Sequence, residues 1–132
     1  MYIWSALKFL EEKNHVIEKQ KSEFLANVNY AQKIQQLYIP GNESGYEPGE
    51  CFSFFQPRDV VGGDFFWLKK LNDQERLFVL ADCTGHGVPG AFVSIVGFNG
   101  LKRTINEFKL RQPGKILDKL TEIIAHHHQK MI

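Results

Sequence analysis

The sequence predicts an α+β chain: a long coiled-coil-like helix, then an antiparallel β-ribbon, then two further helices. Three observations predict it. Ile3, Leu10, Ile17, Phe24, Ala31 and Tyr38 recur every seven residues, with Leu7, Asn14, Lys21, Val28 and Gln35 interleaved, which is a heptad pattern. Two apolar runs, Phe65-Phe66-Trp67-Leu68 and Leu77-Phe78-Val79-Leu80-Ala81, flank the turn pair Asn72-Asp73. Beyond them, Ala91, Phe92, Ile95, Val96, Leu101, Ile105 and Phe108 are spaced as one face of a helix.

The first helix spans residues 3 to 38, and Pro40 and Gly41 close it. Asn14 at a seam position fits a parallel two-stranded coiled coil with a fixed register, while Lys21 and Gln35 weaken the seam. A homodimer through this helix is therefore expected, loose enough to be switchable. The alternative is an amphipathic helix lying on its own domain. Residues 41 to 50 are rich in Gly, with Pro, Asn and Ser, and mark the boundary between a helical unit, 1–40, and a domain, 41–132. Residues 51 to 56 read as a strand that Pro57 ends, and Arg58-Asp59 as a turn. Strands follow over 63–71 and 75–82. The run from Leu77 to Ala81 is apolar at every position, so it reads as buried on both faces. A helix is expected over 89–108, with Pro89 in its first turn. Residues 112 to 114 break the chain, and Pro113 opens a third helix with the apolar face Ile116, Leu117, Leu120, Ile123 and Ile124. Its end, His126-His127-His128, points in three directions and cannot chelate one ion, so a frayed, solvated end is expected.

Composition excludes several classes. A formal net charge of +1 argues against nucleic acid or an anionic membrane as the main partner. Cys51 and Cys83 make no disulfide framework and fit a reducing cytosol as buried or near-site thiols. No apolar run approaches the roughly 20 residues that span a bilayer. Tyr2-Ile3-Trp4 could be the tail of a membrane helix in a longer parent, so the expected location is cytoplasmic, free or as part of a membrane-anchored protein.

The chemistry centres on Asp82, at the end of the Leu77–Ala81 run. A carboxylate there must meet a cation, hydrogen-bond donors or water, because an unpaired buried charge costs several kcal/mol. Gly85, Gly87 and Gly90 follow it and allow a backbone path closed to other residues. A second acid, Asp64, follows Gly62-Gly63 and opens the preceding strand. The short hairpin connection sets the two acids at one edge of the ribbon. There they could hold a hard divalent cation such as Mg²⁺ or Mn²⁺. The alternative is two turn-forming aspartates.

Pro57-Arg58-Asp59-Val60-Val61-Gly62-Gly63-Asp64-Phe65-Phe66 and Ala81-Asp82-Cys83-Thr84-Gly85-His86-Gly87-Val88-Pro89-Gly90-Ala91 resemble the first two motifs of a bacterial family. It is the stage II sporulation protein E-type serine/threonine phosphatases, a branch of the metal-dependent PPM, or type 2C, phosphatases. Ala31-Gln32-Lys33-Ile34-Gln35-Gln36-Leu37 through Pro40 resembles the helix end that leads into that domain, and the resemblance covers about residues 28 to 128. It implies a partial α-β-β-α sandwich with antiparallel sheets. It also implies two Mn²⁺ or Mg²⁺ ions and a metal-activated water that attacks a phosphoserine or phosphothreonine. By motif, Asp82 is the acid shared by both ions, Asp64 serves one of them, and the Cys83 carbonyl is a further ligand. His86 would be a proton donor or merely a turn residue. Arg58 would hold the substrate phosphate or pair with a local acid. The helix over residues 89 to 100 matches the element that regulatory domains move to complete the metal site. The implied setting is bacterial signal transduction, with phosphorylated anti-sigma-factor antagonists or similar proteins as substrates.

One departure stands out. The family draws further ligands from its second half, in an Asp-Gly motif and a C-terminal Asp, and Glu107, Asp118 and Glu122 match neither. At most half of the ligands are therefore expected here, as in an N-terminal fragment of such a domain, inactive alone. The competing expectation is a non-catalytic dimerisation or regulatory module. A third is a fragment that folds only with a partner supplying the missing strands.

Overall fold

A computed structural model describes residues 2–39 and 52–129, with side chains to residue 126. The expected stop at Pro40-Gly41, the 41–50 loop and Cys51 lie outside the described residues. The elements are α1 (Tyr2–Tyr38), β1 (Phe65–Lys70), β2 (Arg76–Ala81), α2 (Gly87–Asn106) and α3 (Pro113–Gln129). β1 and β2 form an antiparallel ribbon, α2 covers one of its faces, and α1 and α3 both pack on α2. The architecture is thus α+β, with a long N-terminal helix, as expected.

The ribbon forms because its turn is satisfied locally. Asn72 Oδ1 accepts hydrogen bonds from the backbone amides of Gln74 (2.9 Å) and Glu75 (2.8 Å), and Leu71 N donates to Glu75 O at 3.0 Å. An Asn side chain folding back on its own backbone is a turn builder. That turn fixes the register, in which Phe65 pairs with Ala81 and Lys70 with Arg76. Alternation then puts Phe65 and Trp67 on one face, where Phe98 of α2 meets them edge-on at centroid distances of 5.8 and 5.1 Å. Leu101, Ile105 and Ile116 complete this core, with Leu77, Val79 and Ala81 at its margin. Trp67 is 0% exposed, whereas Trp4, near the start of α1, is 71% exposed. At Gly100 a Cβ would lie 2.6 Å from the Leu120 side chain, so the missing side chain lets α3 approach α2 closely. A smaller cluster of Val28, Val61 and Ala91 seats the C-terminal part of α1.

Four expectations change. First, the Leu77–Ala81 run is not buried on both faces: Phe78 is 65% and Leu80 75% exposed, because α2 covers only one side of the ribbon. Second, residues 52–56 form no strand. Among the described residues β1 pairs only with β2, so this segment has no ladder to join, although Phe55 meets Phe66 edge-on at 5.9 Å. Third, the heptad positions divide: Leu7, Leu10, Ile17 and Phe24 are exposed, while Val28 is buried against α1's own domain. The last turns of α1 thus follow the alternative reading of a helix lying on its domain. Fourth, the helical span of α3 runs past the histidines to Gln129; His126 is exposed, in keeping with a solvated end, and the side chains of residues 127 and 128 lie outside the description. No helix among the described residues is long and apolar enough to cross a membrane.

Candidate metal centre

The site lies at the open end of the ribbon. Asp64 immediately precedes β1 and Asp82 immediately follows β2, so extending the Phe65–Ala81 pairing by one residue sets the two acids opposite each other. Both are exposed. The Asp64 carboxyl is held above the ordinary carboxylate range, first by lost hydration, then by the negative charge of Asp82 and a hydrogen bond shared with it. The two carboxyl groups therefore converge, as the hairpin argument anticipates.

Glycines make the surrounding loops fit. Gly63 lies so close to the chain after β2 that a Cβ on it would sit 2.5 Å from the Cys83 carbonyl oxygen and 3.0 Å from that of Gly85. A Cβ on Gly90, in the first turn of α2, would sit 2.6 Å from the same Gly85 oxygen and 3.1 Å from Gly63 N. Gly85 turns the chain with φ +97°. Three backbones thus meet with no room for a methyl group: the approach to β1, the exit from β2 and the start of α2.

The other sequence-predicted residues divide between this junction and its rim. The Cys83 carbonyl faces Gly63, while its half-buried thiol packs on the core beside Gly97. Burial, then the charges of Asp64 and Asp82, push that thiol's pKa up, so it stays protonated near neutral pH. His86 precedes α2, is 77% exposed at its side chain, and stands 3.6 Å (Nδ1 to Oδ2) from Asp59. It makes no side-chain cap to the helix. Arg58, Asp59, Gly63, Asp64 and His86 line one cavity of about 370 Å³. Arg58 makes no ion pair or hydrogen bond among the described residues, so the expected local salt bridge is not formed there.

Two residues at this site escape sequence reasoning. Gln35 of α1 donates from Nε2 to the Gly62 carbonyl (2.6 Å) and to Ser94 Oγ of α2 (2.8 Å). The Gly62 amide approaches Gln35 Oε1 at 3.5 Å. Ser94 is wholly buried and also donates to Ala91 O at 2.8 Å. Gln35 carried a signal, a polar residue at a seam position, but it read as a weakness of a dimer.

The donor set suits a hard divalent cation in kind. Two carboxylates that repel each other gain from a shared cation, and oxygen donors match Mg²⁺ or Mn²⁺. It is incomplete in number, since among the described residues no group of three or more His, Cys, Asp or Glu side chains converges.

Comparison with solved structures returns the SiaA-PP2C domain of Pseudomonas aeruginosa, with a TM-score of 0.65 and 27% sequence identity over 79% of this chain. The chain has part of a PP2C-like fold. It spans 42% of the length of that solved chain. No protein-family profile matches the sequence, and no curated relative does.

Proposed function

We propose that this chain carries the N-terminal part of a metal-dependent protein serine/threonine phosphatase of the stage II sporulation protein E type, acting in bacterial signal transduction. The observation that carries the reading is the meeting of Asp64 and Asp82 at the open end of a ribbon within a PP2C-like fold. In this reading Asp82 and Asp64 would hold the Mn²⁺ or Mg²⁺ ions, with Asp82 the acid shared by both, and the Cys83 carbonyl would add a ligand. When bound, the ions supply a water of lowered pKa and offset charge on the phosphate. Arg58, with no ion pair or hydrogen bond to another described residue, lines the cavity, where its guanidinium would hold two phosphate oxygens bidentately. His86 stands at the same rim, where a proton could reach a departing serine or threonine oxygen, with Asp59 orienting the ring. Substrates would be phosphorylated signalling proteins such as anti-sigma-factor antagonists, and the exposed part of α1 would pair two copies.

A second reading, a non-catalytic dimerisation or regulatory module, is favoured by the two-acid donor set and by the exposed apolar positions of α1. One experiment separates them. Mn²⁺-dependent hydrolysis of a phosphoserine peptide is measured for this chain and for a longer polypeptide containing it. The phosphatase reading expects turnover in the longer protein, with Asp82→Ala lowering it by about a hundredfold or more. An Asp82→Ala variant that keeps its rate ends that reading. Sedimentation tests the pairing separately, and a monomer at high concentration removes it.

A further inference from the structure

We propose that the groove on the α1 side of Asp64 is a specificity subsite: it takes a neutral apolar side chain standing next to the phosphoserine or phosphothreonine of a protein substrate. The inference rests on the phosphatase reading above and deepens it, since it names what the substrate carries around its phosphate.

Two cavities flank Asp64. One, of about 370 Å³, has Arg58 and His86 in its wall and suits the phosphate. The other, of about 460 Å³, lies toward α1. Phe55, Pro57 and Asp64 line both, so the second cavity continues the first. A peptide whose phosphate reaches the acids at the ribbon end therefore has its neighbouring residues within reach of this groove.

The lining decides which residues those are. Phe55 meets Phe66 edge-on at 5.9 Å, and Ile39 lines the same groove, so its floor is aromatic and aliphatic. Phe55 is still 49% exposed and Phe66 half-buried, so the pair presents apolar surface instead of closing on itself. Gln32 and Gln36, one turn apart on α1, form the polar wall. Gln35, between them, is engaged by Gly62 and Ser94, whereas the side-chain amides of Gln32 and Gln36 have no hydrogen-bond partner among the described residues. A primary amide offers both donors and an acceptor, which is what the backbone of an extended peptide requires. Among the described lining residues Asp64 alone is charged, and in the phosphatase reading it is committed to the cation. A charged side chain entering the groove would lose water and find no free counter-ion, while a Leu, Ile or Met side chain gains by burial. A cavity of this size holds one such side chain together with its backbone.

The test measures Mn²⁺-dependent kcat/KM in a longer polypeptide containing the chain. Its substrates are alanine-based phosphoserine peptides flanked on both sides by Leu, by Ala or by Glu. The unaltered protein is expected to favour the Leu peptide over the Ala peptide about tenfold, the scale for burying the extra carbons of Leu in a half-open groove, with the gain in KM. Phe55→Ala should cut that ratio to about twofold. Gln36→Lys sets a cation on the exposed surface of α1 at the groove wall and should raise the Glu-to-Ala ratio about threefold, the scale of a solvated ion pair. Thermal unfolding is followed for both variants. A Leu-to-Ala ratio near one with turnover intact overturns the subsite and leaves the phosphatase reading standing. A tenfold ratio that Phe55→Ala does not move also overturns it, because the preference is then read elsewhere. If another part of the longer protein fills the groove, Phe55→Ala lowers the melting temperature without changing the ratio, and that result overturns the inference as well. If Phe55→Ala does not fold, Gln36→Lys decides: an unmoved Glu-to-Ala ratio overturns it. Absence of Mn²⁺-dependent turnover on every peptide removes the phosphatase reading and the subsite with it.

Discussion

The two ends of the β-ribbon hold similar residues in opposite circumstances. At the turn end, Asp73 pairs with Lys70 at 2.8 Å and Asn72 Nδ2 donates to Glu75 Oε2 at 2.6 Å, while the Asn72 carbonyl oxygen on its side chain satisfies two backbone amides. The Asp73 carboxylate is held below the usual range by the hydrogen bond and charge of Lys70. At the open end, Asp64 faces another acid and is held above that range. One end resolves its own polar groups locally and fixes the register. The other end concentrates like charge where glycines let three backbones touch. Repelling carboxylates held together do not add stability, and the contrast is the one that the metal role proposed for the open end requires.

This contrast can be broken by mutation at either end. The largest effect is expected from Gly63→Ala, whose new methyl group would meet the Cys83 carbonyl oxygen at 2.5 Å. Backbone atoms must move to admit it, and overpacking of this kind costs about 3 kcal/mol. Urea unfolding should show the loss, and an unchanged midpoint would mean that the junction is looser than described. At the other end, Asn72→Ala should cost about 1 kcal/mol, the value of a side-chain cap on free backbone amides. The same unfolding measurement checks it, and Mn²⁺ affinity should stay unchanged.

The smallest effects concern pH, and the two ends should respond with opposite sign. Asp64 has a raised folded pKa, so the folded state binds more protons there, and stability without metal falls as pH rises through that pKa. Asp73 has a lowered folded pKa, so its contribution is present above the unfolded value and lost as pH falls through the folded one. Asp82→Asn removes the repelling charge and should bring the Asp64 titration, followed by NMR, down toward the ordinary range. An Asp64 curve that does not move would show that lost hydration alone raises it.

Much of this arrangement is legible in the sequence, for reasons that differ by residue. Asn72-Asp73 between two apolar runs fixes a hairpin, and a hairpin fixes which residues share its open end, so Asp64 and Asp82 can be paired without coordinates. The spacing of Ala91, Phe92, Ile95, Val96, Leu101 and Ile105 fixes α2, and Pro113 fixes the start of α3. What a segment packs against is harder to read. Apolar residues at every position of β2 do not say whether a second layer lies over Phe78 and Leu80. The segment 52–56 has the composition of a strand, but a strand needs a neighbour. Heptad spacing in α1 identifies a face, and Val28 and Gln35 show that part of that face is turned to the chain's own domain. The contacts of Gln35 are hard to read from sequence because its partners, Gly62 and Ser94, stand 27 and 59 residues away.

The placement of the two indoles gives the chain a pair of built-in optical reporters. Trp67, sealed beneath α2, should emit at short wavelength until the core opens, and Trp4, near the tip of α1, should emit at long wavelength and be open to soluble quenchers. Covering of the helix tip by another copy would blue-shift and protect only the second of these signals, so assembly and unfolding can be watched independently in one unlabelled sample.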